Sequence, residues 1–419
     1  MKIKFFLQKL TIVYFVLYTI PFPFNYLPFK IGDYFSEIVM SIWGQLVPFV
    51  ARELLKYDGS VVYRDNGSGD SVFFYFLIPT IMLVALATTI IWISIIDKRL
   101  ELKSSIKNHF NVYLRYYMAF TMFIYGFSKV FYLQFNQLTL FQLTQSFGDS
   151  SPMGLLWKFM GYSEIFSILT GITEVFAGLL LLFRKTKVIG ALICFVIMVQ
   201  VFMMNISFDV PVKIYSFHLI IISLLIFLPE YKRLFNLINN YEDKNPLIFN
   251  KSFKIFNETS LRYGIKYFMI LMVLSVIITE NFSRQKKYGK RAATNELYGI
   301  YDVNLFIVEN DTIPPSRLNF DRWDRLIIDK NVALVEKMNR EKIHLQMEID
   351  SVNSTVHFQS YMDKDDISEL KFKIEGNYLI LDGKIRDSNV LTKMIRKERA
   401  DFFLEKRGFH WINEYPMNR

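Results

Sequence analysis

The sequence contains a single cysteine, Cys194, and it lies inside an apolar run. One thiol excludes an intrachain disulfide, a Cys-x-x-Cys relay and an iron–sulfur site held by this chain's own cysteines. The residue reads as a small buried hydrophobe. Histidine is scarce too, 5 in 419 residues, and His344, His357 and His410 stand without a second His, Cys or carboxylate at helix-turn distance, so no metal site is expected from them. A Gly-x-Gly-x-x-Gly turn, a haem ligand pair and a Ser-His-Asp set are also missing. No reaction can be named from motifs, and whether the chain is an enzyme is left open by its sequence.

Apolar residues are abundant: 52% of the chain is hydrophobic, 17% is aromatic, and the mean hydropathy is +0.23. These values are too apolar for a soluble domain of this length. Long apolar runs at about 10 to 28, 72 to 96, 111 to 133, 162 to 183, 188 to 208, 212 to 228 and 265 to 281 approach the roughly 20 residues that cross a bilayer, which predicts about seven spans. The first run follows Met1-Lys2-Ile3-Lys4 and ends in "PFPFNYLPF" without a small-residue cleavage site, so it reads as an uncleaved anchor.

The formal net charge of +10 would suit nucleic acid, but the cations fall in short runs between apolar segments, and no nucleic-acid partner is expected. Lys2, Lys4 and Lys9, then Lys98, Arg99, Lys103 and Lys107, then Arg184, Lys185 and Lys187, and finally the loop from Lys232 to Lys266 mark the cytoplasmic side. An odd number of spans then puts the N-terminus in the cytoplasm and the tail after about Ser283 in the periplasm of a bacterial inner membrane. The basic run "SRQKKYGKR" after the last span argues the other way, and the earlier loops outvote it.

Four regions follow: 1–110, two spans joined by an extracytoplasmic loop; 111–235, four spans; 236–282, a cytoplasmic loop and the last span; and 283–419, a β-rich domain. Within the first, "EIVMSIWGQLVPFVARELL" has apolar residues at helical spacing around Trp43 and predicts an interfacial amphipathic helix. The stretch 134 to 161, with "FGDSSPMG", predicts a loop. From about residue 295, "LYGIYDVNLFIV", "RWDRLIID", "VALVEKM", "KIHLQMEID", "TVHFQSY", "LKFKIEG" and "YLILDGKI" are short, partly alternating runs between polar turns. They predict an antiparallel meander, a sandwich or an up-and-down barrel of lipocalin type. The last residues, "RGFHWINEYPMNR", are expected to close the last strand or pack on the membrane region.

Polar groups inside the spans are the candidate site. In the third span Thr121, Tyr125, Ser128 and Lys129 share a helical face. In the fourth, Ser163, Ser167, Thr170 and Glu174 do the same, with Gly171 and Gly178 admitting a neighbouring helix. A mid-span carboxylate facing lipid costs roughly 2.5 to 3.5 kcal/mol, so Glu174 is expected to face the bundle. Asn205, Asp209, Lys213 and His218 surround the junction of the fifth and sixth spans, and with Lys129 and Glu164 they could converge on one outer pocket. Lys129 and Lys213 could instead snorkel to headgroups, Asp209 could cap a helix end, and Glu174 and His218 could fix packing through interhelical hydrogen bonds.

Residues 111 to 235, with "RYYMAFTMFIYGFSKVF", "SSPMGLLWKFMGYSEIFSILTGITEVFAGLLLLFRKT" and "SFDVPVKIYSFHL", resemble the DoxX-like four-helix membrane proteins. The matching positions are Arg115, Gly126, Lys129, Gly171, Glu174 and Gly178. The layout as a whole resembles the longer Bacteroidetes-type members. The resemblance implies an inner-membrane protein and, for some relatives, a membrane subunit of a quinone-linked redox complex. No cofactor is evident from the chain's own residues; the resemblance implies a quinone as the fitting one, a bilayer around the chain and a redox protein as partner. The competing reading is a non-enzymatic module that captures a lipophile or envelope protein through its β-domain.

Overall fold

The computed structural model describes residues 2–27, 30–96, 104–231, 258–361 and 367–418. Lys98, Arg99, Lys103 and the basic stretch 232–257 lie outside the described residues. The chain forms two compact units. One comprises Met1–Asn136 and Ser151–Gly289, the other Gln137–Ser150 and Lys290–Arg419.

The first unit is a helical bundle: α1 Lys2–Thr19, α2 Ile31–Phe49, α3 Val72–Ile91 and α4 Ser104–Val130, then α6 Pro152–Tyr162, α7 Glu164–Leu182, α8 Lys187–Ser207, α9 Lys213–Phe227 and α10 Glu258–Tyr288, α5 belonging to the other unit. Six helical segments, Ile3–Tyr26, Ile31–Leu54, Val72–Ile95, Glu164–Leu182, Lys187–Ser207 and Tyr267–Tyr288, are long and apolar enough to cross a membrane. The set differs from the sequence expectation at three places. The predicted interfacial segment is a helix of sufficient length. The predicted third span, α4, is 27 residues long but carries Lys107, Arg115 and Lys129. The predicted sixth, α9, has only 15 residues.

Side-chain contacts fix the helix directions. Lys9 near the start of α1 lies 5.1 Å from the ring of Trp92 just past α3, so α1 and α3 run antiparallel. The Gly69 amide donates to Pro211 O at 2.8 Å, which places the starts of α3 and α9 side by side. Because α1 and α3 are antiparallel, α2 leaves from and returns to the same end of that helix pair. Its ends agree: the Gly32 amide bonds Leu27 O, and Tyr57, just past it, packs on Phe76 of α3 at 4.7 Å. The amphipathic segment therefore lies along one end of the bundle in spite of its length. Cys194 is fully buried.

Two predicted boundaries move. The basic run after the last span forms the final turns of α10, which continues to Tyr288, so the second unit starts at Lys290 rather than near Ser283. The predicted loop 134 to 161 contains α5, Leu140–Thr144, and α6. A capping box at Thr139 starts α5, and the Ser151 hydroxyl accepts from the Gly154 amide at 3.0 Å to start α6.

The second unit is a closed barrel of eight antiparallel strands: β1 Gly299–Val308, β3 Trp323–Asp329, β4 Val332–Lys337, β5 Lys342–Asp350, β6 Thr355–Ser360, β7 Ile367–Glu375, β8 Tyr378–Ile385 and β9 Ser388–Lys397. A two-residue β2, Asp311–Thr312, folds back on β1. Neighbours in sequence pair in order, and β1 pairs with β9 to close the ring, which removes the free sheet edges. Alternation sends Leu370 and Phe372 of β7 inward with Met347, Val356, Phe358, Leu381 and Met394. Arg322 holds the β2–β3 connection by donating to Ile313 O, Trp323 O and Val303 O at 3.0, 2.9 and 3.3 Å. Closure by β9 corrects the expectation for the last residues: Phe409, Trp411, Ile412 and Tyr415 are exposed and form no strand.

Segment 137–150 folds with this barrel. Leu140 is buried against Ile300, Ile327 and Leu334 on the outside of the sheet, and Arg399 Nη1 donates to Leu138 O at 2.9 Å.

The β5–β6 turn carries a pH-dependent contact. The Asp350 carboxylate accepts from the Val352 and Asn353 amides at 2.9 and 3.1 Å and from Asn353 Nδ2 at 2.7 Å. The bonds from Asn353 hold its pKa below the ordinary carboxylate value. A depressed folded-state pKa means the contact stabilises the turn above the unfolded pKa of about 3.9 and is lost as pH falls through the folded value. Protection factors from hydrogen exchange in the full chain are expected to stay high for Val352 and Asn353 from neutral pH down past the ordinary aspartate value of about 3.9 and to fall only at lower pH, with Asp350→Ala removing the protection throughout.

Candidate functional site

The predicted membrane residues form separate local pairs rather than one pocket. Lys129 Nζ donates to both oxygens of Glu174 at 2.9 and 2.8 Å, with 6% and 3% of the two residues exposed. The pair exists because α4 and α7 touch backbone to backbone. A Cβ on Gly171 would stand 2.5 Å from Gly126 O, and one on Gly126 would stand 2.9 Å from the Val175 amide nitrogen. That approach lets a lysine and a glutamate on facing turns meet without crossing lipid. The ammonium is enclosed further by the Tyr125 and Phe135 rings at 5.7 and 5.9 Å. Two strong bonds to one carboxylate leave this pair self-satisfied.

The α8–α9 junction holds the next group. Asn205 Nδ2 donates to Ser216 Oγ at 3.0 Å, tying the two helices together inside the bundle. Asp209 and Lys213 form an exposed pair at 2.9 Å. Asp70, from the turn "DNGSGDS", caps α9 by accepting from the Lys213 and Ile214 amides at 2.7 and 3.0 Å. Glu164 is exposed in the first turn of α7, where a carboxylate suits the positive end of the helix. These residues hold helix ends.

His218 stands apart from them. Its Nδ1 lies 2.8 Å from Ile214 O, a group that only accepts, so Nδ1 carries the proton. Nε2 is then the acceptor for the Tyr14 hydroxyl at 2.8 Å. Tyr18 stacks on the imidazole with ring centres 4.0 Å apart. Both members of the Tyr14–His218 pair line a groove of about 530 Å³ between α1, α3 and α9 whose other walls include Leu10, Phe15, Ile78, Met82 and Phe217. The arrangement is a mostly apolar slot with a hydrogen-bonded Tyr–His pair on its wall and the Thr11 and Tyr75 side chains beside it, a usual form for small-molecule sites. Lys129 and Glu174 do not line it.

Sequence reasoning found His218 but missed Tyr14, Tyr18 and Asp70. Tyr14 and Tyr18 lie four apart in the first apolar run, a spacing that shares a face but reads as ordinary interfacial aromatic content. Arg115, the remaining candidate, is buried at one end of the bundle, far along α4 from Lys129.

No family model matches the chain, and no solved structure matches it. A curated Bacillus subtilis (strain 168) protein, "Uncharacterized protein YwoB", is 29% identical over 126 residues, 30% of this chain and 80% of the relative's length. That name carries no activity to compare with the site.

Proposed function

We propose that the chain is a DoxX-like membrane protein that binds a quinone-class lipophile in the Tyr14–His218 groove and serves as the membrane subunit of a redox assembly. The observation that carries the reading is the hydrogen-bonded Tyr14–His218 pair on the wall of a mostly apolar slot. A lipophilic ring with a carbonyl at its edge suits such a slot. Tyr14 and His218 supply the proton donor and acceptor that a carbonyl or hydroxyl exchanges with. With one buried thiol and no cofactor motif, electrons would come from a partner protein. The proposed setting is a bacterial inner membrane with the N-terminus in the cytoplasm, since Lys4, Lys107, Arg184, Lys185 and Lys187 gather at one end of the bundle. The barrel would then be periplasmic.

The barrel supports a second reading. A cavity of about 300 Å³ in it is lined by Phe306, Trp323, Leu345 and Phe358, with Asp321, Lys337 and Arg386 also on its wall, which suits a small lipophile with a polar end captured without chemistry.

Full-length protein extracted in mild detergent is expected to retain quinone by chromatography of its solvent extract. Tyr14→Phe and His218→Ala should each lower that retention about tenfold, the effect of one good hydrogen bond to a polar group. A photoreactive benzoquinone should label peptides of α1 and α9. Label confined to barrel strands, or retention untouched by both substitutions, would refute the groove in favour of the barrel.

A further inference from the structure

A second cavity opens at the opposite end of α1 from its junction with α2. It has a volume of about 1100 Å³ and is bordered by the first turns of α1 and α4, the α7–α8 turn and the end of α9. Its charge is of one sign. Lys4, Lys107, Arg115, Arg184, Lys185 and Lys187 line it, and among the described residues lining it there is no carboxylate. The placement follows from helical spacing, because Lys107, Asn111 and Arg115 step by four along α4 while Lys4, Gln8 and Thr11 step by four and three along α1.

Arg115 is the decisive member. The residue is only 3% exposed, and its Nε has no hydrogen-bond partner. Its guanidinium carbon rests 5.4 Å from the Tyr116 ring, which shields the group without neutralising it. A guanidinium buried without a counterion among the described residues is costly, and the cations Lys4, Lys107 and Arg184 around the same space add repulsion. An anion entering the cavity relieves both, and a planar guanidinium matches phosphate oxygens two at a time.

The cavity continues into an apolar one. A space of about 490 Å³ shares Val112, Arg115 and Arg184 with it and is walled by Phe22, Tyr26, Tyr113, Phe120, Met269 and Val273. Polar atoms are few beyond the arginines. The two spaces together have the form of an amphiphile, a charged head at Arg115 and a chain running past it between the 22–27 turn, α4 and α10.

We propose that this is a binding site for a phosphate-bearing anionic lipid, with the phosphate held by Arg115 and the surrounding lysines and an acyl chain in the adjoining apolar space. Basic pockets between membrane helices bind anionic headgroups on these physical grounds. The site adjoins the Tyr14–His218 groove, sharing Leu7 and Thr11 with it, but none of its cations lines that groove, and it stands whether or not the groove takes a quinone.

The test uses delipidated full-length protein in neutral detergent, with native mass spectrometry and thermal unfolding as readouts. Phosphatidylglycerol is expected to remain bound and raise the melting temperature, whereas phosphatidylcholine, whose headgroup has no net charge, does neither. Arg115→Gln should weaken phosphatidylglycerol binding about tenfold or more. Should that variant fail to fold, Lys107→Gln with Arg184→Gln, both on exposed positions, should weaken it in the same direction. Inorganic phosphate that stabilises the wild type as well as the lipid does, through Arg115, would assign the site to a soluble phosphate compound and overturn the lipid. Equal binding of the two lipids, or binding unchanged in both variants, would reduce the six cations to ordinary charges that orient the chain in the membrane.

Discussion

Glu174→Ala is expected to be the most damaging single charge removal in the bundle, costing about 3–5 kcal/mol, the usual loss when one partner of a buried ion pair is deleted. The cost comes from Lys129. It is 6% exposed, its Nζ bonds both Glu174 oxygens, and α7 packs across its stem. With only 8% of its side chain accessible, it has little contact with water once the carboxylate is gone. Lys129→Met alone should be damaging for the converse reason, with a lone carboxylate escaping part of the penalty by taking a proton. Lys129→Met combined with Glu174→Leu should recover most of the loss, because a buried pair replaced by apolar groups of similar volume is often neutral. The measurement is a double-mutant cycle on thermal or detergent-induced unfolding of the full chain. A Glu174→Ala variant within about 1 kcal/mol of wild type would show that water or lipid reaches the ammonium and that the pair contributes little.

Gly171→Val is the second large effect, and it acts on the same contact through sterics. An added Cβ at Gly171 would lie 2.5 Å from Gly126 O, 2.8 Å from Lys129 Cβ and 2.8 Å from the Val130 amide nitrogen. Two of these three neighbours are backbone, which cannot rotate away. Even alanine has to push α4 and α7 apart, and overpacking costs about 1–3 kcal/mol for modest additions. Valine adds two more methyl groups and separates the helices enough to stretch the Lys129–Glu174 bonds, so its loss should approach that of Glu174→Ala. Gly44→Ala is the control, since a Cβ there meets nothing within 4 Å. Monodispersity and unfolding temperature of the purified variants read the difference, and a Gly171→Val protein as stable as the control would show that the helices do not meet at this contact.

The ionisable residues in apolar runs were legible in the sequence because a charge among Phe and Leu has to be compensated, wherever the compensation comes from. Its source was not legible. Lys129 and Glu174 are 45 positions apart, and only the close approach of Gly126 and Gly171 brings α4 onto α7 and the two charges together. Tyr14 escaped notice because tyrosine is common in membrane segments, and only the fold brings it to His218. In the barrel, β1 and β3 to β8 were readable from alternation and polar turns. The last strand, β9, was missed because Thr392, Lys393 and Lys397 break its apolar pattern, although its inward residues Val390 and Met394 keep the period of two. The docking of 137–150 on the barrel has no local signature at all, since Leu140 is one leucine in a segment of mixed polarity.

The cap on α9 has a consequence for so short a helix. Its 15 residues rise about 22 Å, less than the roughly 30 Å of a hydrocarbon layer. The first turn of any helix leaves four amides without intrahelical partners, and each one left bare in an apolar setting is costly. The Asp70 carboxylate takes those of Lys213 and Ile214, so the start of α9 depends less on water than a bare helix end would.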